Sequence, residues 1–257
     1  MLLVIAALLL GLEARCDSLM KPQRIENPNG LQKFYESLRR SDQQSADSFT
    51  RIIHYGDSHV AADWLTGKLR RNFQRDFSAE FIAYEAKGIN GARATKPLSW
   101  NWGAIAESFT DNQPALIVVA YGSNEVGDAD LDLDLYKTQF EELLQHCKEA
   151  APEASLLVLA PPDRAIYRNS RWRTIPLLQA LIDTQRAAAF NEGAAFWNQF
   201  SAMGGAGTIN RWANLSPKLA QKDRVHLTLA GYELIADALY AELMREYEHY
   251  QQRTTKE

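Results

Sequence analysis

A chain of 257 residues is long enough to bury one large core rather than two, and its 46% hydrophobic and 23% charged residues are the balance of an ordinary globular protein. The formal net charge of −4 excludes a general nucleic-acid binder, which is normally basic. Two cysteines, Cys16 and Cys147, are too few for a disulfide framework. Neither has a second Cys or His at ligand spacing, so no metal and no cofactor are expected.

The first residues, Met1 to Gly11, form an apolar run too short to span a bilayer as a helix. It resembles the hydrophobic part of a secretory signal, with Ala14 as a candidate cleavage position. On this reading residues 1–16 are an export segment, able to associate transiently with a membrane, and residues 17–257 are a single domain. A buried N-terminal helix is the alternative. Cys16 stands where a lipoprotein cysteine would, but Arg15 before it is not the small residue that such processing needs.

From Asp17 to Gln44 the chain is polar, with a loop signal at Asn27-Pro28-Asn29-Gly30 and helical spacing of apolar residues from Leu31 to Arg40. Phe49 to Tyr55 reads as a strand, Ala61 to Phe77 as a helix, and Phe81 to Tyr84 as a second strand. Ala115 to Tyr121 is continuously apolar, as a strand covered on both faces must be. A helix follows from about Leu135 to Ala150, then a buried strand from Ser155 to Ala160 stopped by Pro161-Pro162. A further helix spans about Thr174 to Phe190, Ala195 to Trp197 is a weak fifth strand, and a last helix covers roughly Leu229 to Tyr247. The arginines at 168, 171 and 173 read as a solvated face. Alternating strands and helices call for a parallel sheet with helices on both faces, and in such sheets function gathers at the carboxyl ends of the strands.

The first of those ends holds Gly56-Asp57-Ser58-His59. A serine at a strand-to-helix turn exposes its hydroxyl, Gly56 permits the turn, and Asp57 can hold it by side-chain to backbone hydrogen bonds. The second loop contains Gly88-Ile89-Asn90-Gly91-Ala92, where a glycine N–H can face an oxyanion or simply serve a turn. The third is Tyr121-Gly122-Ser123-Asn124-Glu125, whose Asn can donate to a developing negative charge or cap a helix. Ahead of the last helix comes Asp223-Arg224-Val225-His226, a spacing that sets a carboxylate against one imidazole nitrogen and leaves the other as a general base. Each signal alone is modest; together, in this order, they are not a coincidence of turns.

These four blocks resemble those of the SGNH hydrolase superfamily, also called the GDSL esterase family. The resemblance runs from about Arg51 to Tyr232 and implies a three-layer α/β/α sandwich around a flavodoxin-like central parallel sheet of about five strands. It also implies that Ser58 is the nucleophile, His226 the base and Asp223 its orienting partner, with an oxyanion hole from the N–H groups of Ser58 and Gly91 and the side chain of Asn124. Two departures narrow the branch: His59 stands where Leu is commonest, and Glu125 where Asp is usual. Gly-Asp-Ser-His, Gly-Ile-Asn-Gly-Ala and the stretch from Ala202 to Gly207 are similar to bacterial peptidoglycan O-acetylesterases. The implied function is removal of O-acetyl groups from an extracytoplasmic polysaccharide such as peptidoglycan, in the periplasm or cell envelope. An O-acetyltransferase with the same triad, a lipid esterase and a non-catalytic carbohydrate-binding module are the alternatives. Trp100, Trp102 and Trp212 are candidates for stacking on sugar rings, against plain core packing.

Overall fold

The computed structural model describes residues 19–43 and 49–254. The segment predicted for export, residues 1–16, with Cys16, lies outside the described residues. Among those described, no helix is long and apolar enough to cross a membrane.

Helix α1 (Gln32–Asp42) leads into strand β1 (Thr50–Gly56), which ends on the short helix α2 (Ser58–Ala61). The predicted helix over 61–77 is therefore divided. Asp63 takes a left-handed backbone, φ 52°, and the main helix α3 begins only at Trp64 and runs to Phe77. The break frees α2 to carry the serine turn. Strand β2 (Ile82–Gly88) continues four residues past Tyr84, and α4 (Trp102–Ser108), unforeseen in the sequence, precedes β3 (Leu116–Ala120). Then come α5 (Leu133–Ala150), β4 (Ser155–Leu159), the ribbon β5 (Ala165–Arg168) and β6 (Arg171–Thr174), α6 (Leu177–Asn191) and β7 (Ala195–Trp197). Two short helices, α7 (Gln199–Ala202) and α8 (Thr208–Ala213), lead to the long α9 (Leu229–Thr254), which passes the predicted end by seven residues.

The five main strands are all parallel, in the order β2-β1-β3-β4-β7, so the fold is an α/β sandwich with a flavodoxin-like sheet. Alternate residues of each strand feed two cores. On one face Ile52, Val118 and Leu157 pack with Phe34 of α1, Leu69 and Phe73 of α3 and Leu239 of α9. On the other Ile53, Val119 and Val158 meet Phe140 and Leu144 of α5 and Leu181 of α6. A strand buried on both sides cannot alternate polar and apolar residues, which explains the unbroken apolar runs in β3 and β4.

The chain leaves β1 toward β2 on one side and returns to β3 on the other. Between β1 and β3 the connections therefore diverge, opening a crevice at the carboxyl edge of the sheet. Gly56 ends β1 and Ala120 ends β3, as direct neighbours in register.

Candidate active site

The serine turn occupies that crevice. Asp57 caps α2 by accepting the His59 N–H at 2.9 Å, as the turn chemistry requires. Gly56 is obligatory here: a Cβ would lie 2.3 Å from Val60 Cγ2 and 2.6 Å from the Ala120 carbonyl oxygen. Asp57 is buried, and burial pushes its carboxyl up to about 7 against the His59 N–H bond that lowers it.

The loop before α9 reaches over to this turn. Ser58 Oγ lies 2.9 Å from His226 Nε2, and His226 Nδ1 lies 2.7 Å from Asp223 Oδ2. The other carboxylate oxygen of Asp223 accepts the backbone N–H groups of Val225 and His226 at 2.9 and 3.0 Å. Burial acts to raise the Asp223 carboxyl, but its bonds from the His226 ring and these two N–H groups outweigh it, so the group is lowered overall. The carboxylate is thus held ionised and aimed, and with it the ring tautomer whose Nε2 faces the hydroxyl. His226 and Asp223 keep side-chain exposures of 35% and 44%, so the constellation opens to solvent.

The two remaining loops are tied to each other beside it. Asn124 donates its side-chain N–H to the Ala92 carbonyl at 2.8 Å, and Glu125 accepts the Ala94 N–H at 2.6 Å. Glu125 is buried, its carboxyl raised by that burial, so the residue that departs from the usual Asp clamps the Gly91 loop to the Asn124 loop. Gly91 is exposed with φ 74°, and a Cβ there would meet no atom within 4 Å.

His59, whose role the sequence left open, is buried with Nδ1 2.7 Å from the Tyr232 hydroxyl. Its ring lies 5.3 Å from that of His226, centre to centre. Burial first, and then the neighbouring His226, push its pKa down to about 3, so it stays neutral behind the exposed imidazole. His54 on β1 turns instead to Tyr84, 2.9 Å away. The two histidines face separate hydroxyls rather than a common point.

The tryptophans divide. Trp212 is 1% exposed in the core, which removes it as a sugar platform. It belongs to the same core cluster as Val118, Leu157 and Trp197. Trp102 stacks on His146 and donates to the Pro97 carbonyl. Trp100 lines a cavity of about 500 Å³ with Tyr55, Phe109 and Ile89, next to the Gly91 loop. Sequence reasoning missed Arg164, which follows β4 and donates from its guanidinium to the Ser123 carbonyl. The arginine is half-buried and interacts electrostatically with Asp57 and Asp223. Its signal was position alone: it sits in the fourth strand-end loop.

A family model described as the GDSL-like lipase/acylhydrolase family matches residues 47–234. No match was found among curated protein sequences. Among solved structures, a peptidoglycan O-acetylesterase is similar at TM-score 0.77 and 16% identity, covering 84% of this chain and 96% of its own. The acetyl xylan esterase AlAXEase gives TM-score 0.57 and 16% identity, over 74% of this chain and 98% of its own. Axe2, an acetylxylan esterase from Geobacillus stearothermophilus, gives 0.53 and 19%, over 76% and 94%.

Proposed function

Because the chain belongs to the GDSL-like lipase/acylhydrolase family and is a serine esterase of the SGNH type, we propose that Ser58, His226 and Asp223 are its catalytic triad. The observation that carries this reading is the continuous relay from Ser58 Oγ through both His226 nitrogens to Asp223, with 2.9 and 2.7 Å steps.

In this mechanism the Ser58 oxygen attacks the ester carbonyl carbon as its proton passes to His226 Nε2. Asp223, ionised and bonded to Nδ1, stabilises the imidazolium that forms. The carbonyl oxygen, now negative, is held by the N–H groups of Ser58 and Gly91 and by the Asn124 side chain. Asn124 can serve because its amide carries two N–H groups and spends only one on Ala92. The imidazolium then protonates the leaving alcohol. Water, deprotonated by the same nitrogen, releases the acid and restores Ser58.

The substrate on this reading is an O-acetyl group on an extracytoplasmic polysaccharide, peptidoglycan, and the enzyme works in the cell envelope. Supporting this choice are the acetylesterase neighbours, the Gly-Asp-Ser-His block and the open position of the triad, which suits a polymer better than a buried pocket would. Acetate release from O-acetylated peptidoglycan, compared with acetylated xylan and a lipid ester, tests the substrate. Ser58→Ala should lower turnover by roughly 10⁴ or more. Retention of most activity in that variant would remove Ser58 as nucleophile, and an acetylated sugar in place of free acetate would make the enzyme a transferase.

A further inference from the structure

The β5–β6 ribbon stands apart from the main sheet, at its carboxyl edge, and the triad does not use it. Its turn residues Asn169 and Ser170 both have positive φ, 51° and 60°, which gives a tight two-residue hairpin. Register pairs Ile166 with Arg173, Tyr167 with Trp172 and Arg168 with Arg171. Side chains alternate across a strand, so Arg168, Arg171 and Arg173 share one face, and the same alternation carries that face back to Arg164.

No Asp or Glu occurs from Arg164 to Pro176. Several arginines elsewhere are ion-paired, Arg51 with Glu85, Arg70 with Asp63, Arg71 with Glu233 and Arg186 with Glu26, although among the described residues Arg211 and Arg224 are not. Arg168, Arg171 and Arg173 are exposed and, among the described residues, have no ion-pair partner. Like charges directly across a ladder repel, so the Arg168–Arg171 pair destabilises the free hairpin and would be relieved by an anion. The overall charge of −4 makes this concentration of cations a local feature rather than a general one.

The ribbon is rooted beside the candidate active site where β5 begins. Arg164 bonds the Ser123 carbonyl, next to Asn124, and the Ala165 N–H donates at 3.0 Å to the carbonyl of Arg224, next to Asp223. On the other face Trp172 packs under the Arg224 guanidinium, 4.9 Å from its ring centre, beside Tyr167, which is 63% exposed. The tip, Arg168-Asn169-Ser170-Arg171, carries no apolar anchor of the kind a membrane-surface element uses.

We propose that this ribbon binds the carboxylates of an acidic polysaccharide and feeds the strand toward Ser58. Guanidinium groups match carboxylates in a two-point fork, and a row of them leading to the nucleophile suits a linear polyanion. The feeding role rests on the esterase reading above; the binding does not.

The test uses the triple variant Arg168→Gln, Arg171→Gln, Arg173→Gln. On a small chromogenic acetyl ester its kcat/KM should equal that of the wild type, which also shows that it folds. On chemically O-acetylated polygalacturonate at low salt its KM should be about tenfold higher, with the gap closing at high salt as the charges are screened. On chemically O-acetylated glucomannan, a neutral polymer, the two proteins should not differ. An unchanged KM on the acidic polymer, or an equal rise on the neutral one, would overturn the proposal. So would arginine-dependent binding to phosphatidylglycerol vesicles with no effect on the polymer, which would turn this face toward a membrane. Binding of unacetylated polygalacturonate to Ser58→Ala protein, lost in the same protein carrying the triple substitution, would uphold the ribbon even if the wild type hydrolysed no ester.

Discussion

Replacing Asp57 with Asn should change how stability depends on pH while leaving the cap of α2 in place, since an Asn side-chain oxygen accepts the His59 N–H equally well. Asp57 is 1% exposed, and burial raises its carboxyl from the usual 3.8 to about 7. In the unfolded chain the group ionises near its usual value, whereas in the folded protein it keeps its proton until about 7. Between those values the folded state binds the extra proton, so unfolding free energy falls as pH rises, and above about 7 the loss is complete. A gap of about three pK units at 1.36 kcal/mol each sets a ceiling of about 4 kcal/mol on that loss. Asn carries no proton to lose. Other buried carboxyls, Glu125 and Asp163 among them, are raised in the same direction but are present in both proteins, so they largely cancel in the difference. Urea unfolding of both proteins at steps from about pH 4 to about pH 8 measures it. The stability of the Asn variant relative to wild type should climb by up to about 4 kcal/mol and then level off. Parallel curves across the whole range would refute the reasoning, because they would mean that Asp57 ionises as it does in water.

Asn124→Ala should lower kcat by roughly 10²–10³ if its second N–H serves the oxyanion; steady-state kinetics on an acetyl ester reads this directly. Gly88→Ala places a Cβ 2.1 Å from the Ala61 backbone nitrogen, which cannot yield, so urea unfolding should show a loss of about 1–3 kcal/mol with displacement of α2. Gly91→Ala meets open space and should cost only its left-handed strain, about 1 kcal/mol, measured in the same way. His59→Leu leaves the buried Tyr232 hydroxyl without its ring partner and should destabilise by about 1–3 kcal/mol, whereas His59→Asn, which offers an acceptor at the position of Nδ1, should recover part of it.

Much of this was legible in the chain itself. The apolar runs at 115–121 and 155–160 could only be strands covered on both faces, and their alternation with amphipathic helices fixes a parallel sheet, because parallel strands need long crossovers. The proposed site residues Ser58, Gly91, Asn124, Asp223 and His226 could be named as candidates from four short blocks and their resemblance to the SGNH family, since such blocks are local in sequence. What the sequence left undecided depends on contacts between distant segments. The division of the helix at Asp63 answers the need to dock α2 against Gly88, and periodicity within 61–77 contains nothing of that. Trp212 looks the same in sequence as Trp100, yet one fills the core and the other faces a cavity. The arginines at 168, 171 and 173 read in sequence as a solvated face, and only the register of β5 and β6 set them on one face of a ribbon whose base bonds Ser123 and Arg224. The proposed serine, imidazole and carboxylate were candidates from short local blocks. Only tertiary folding across 168 residues of chain brought Ser58 and His226 to 2.9 Å, and only it decided what surrounds them.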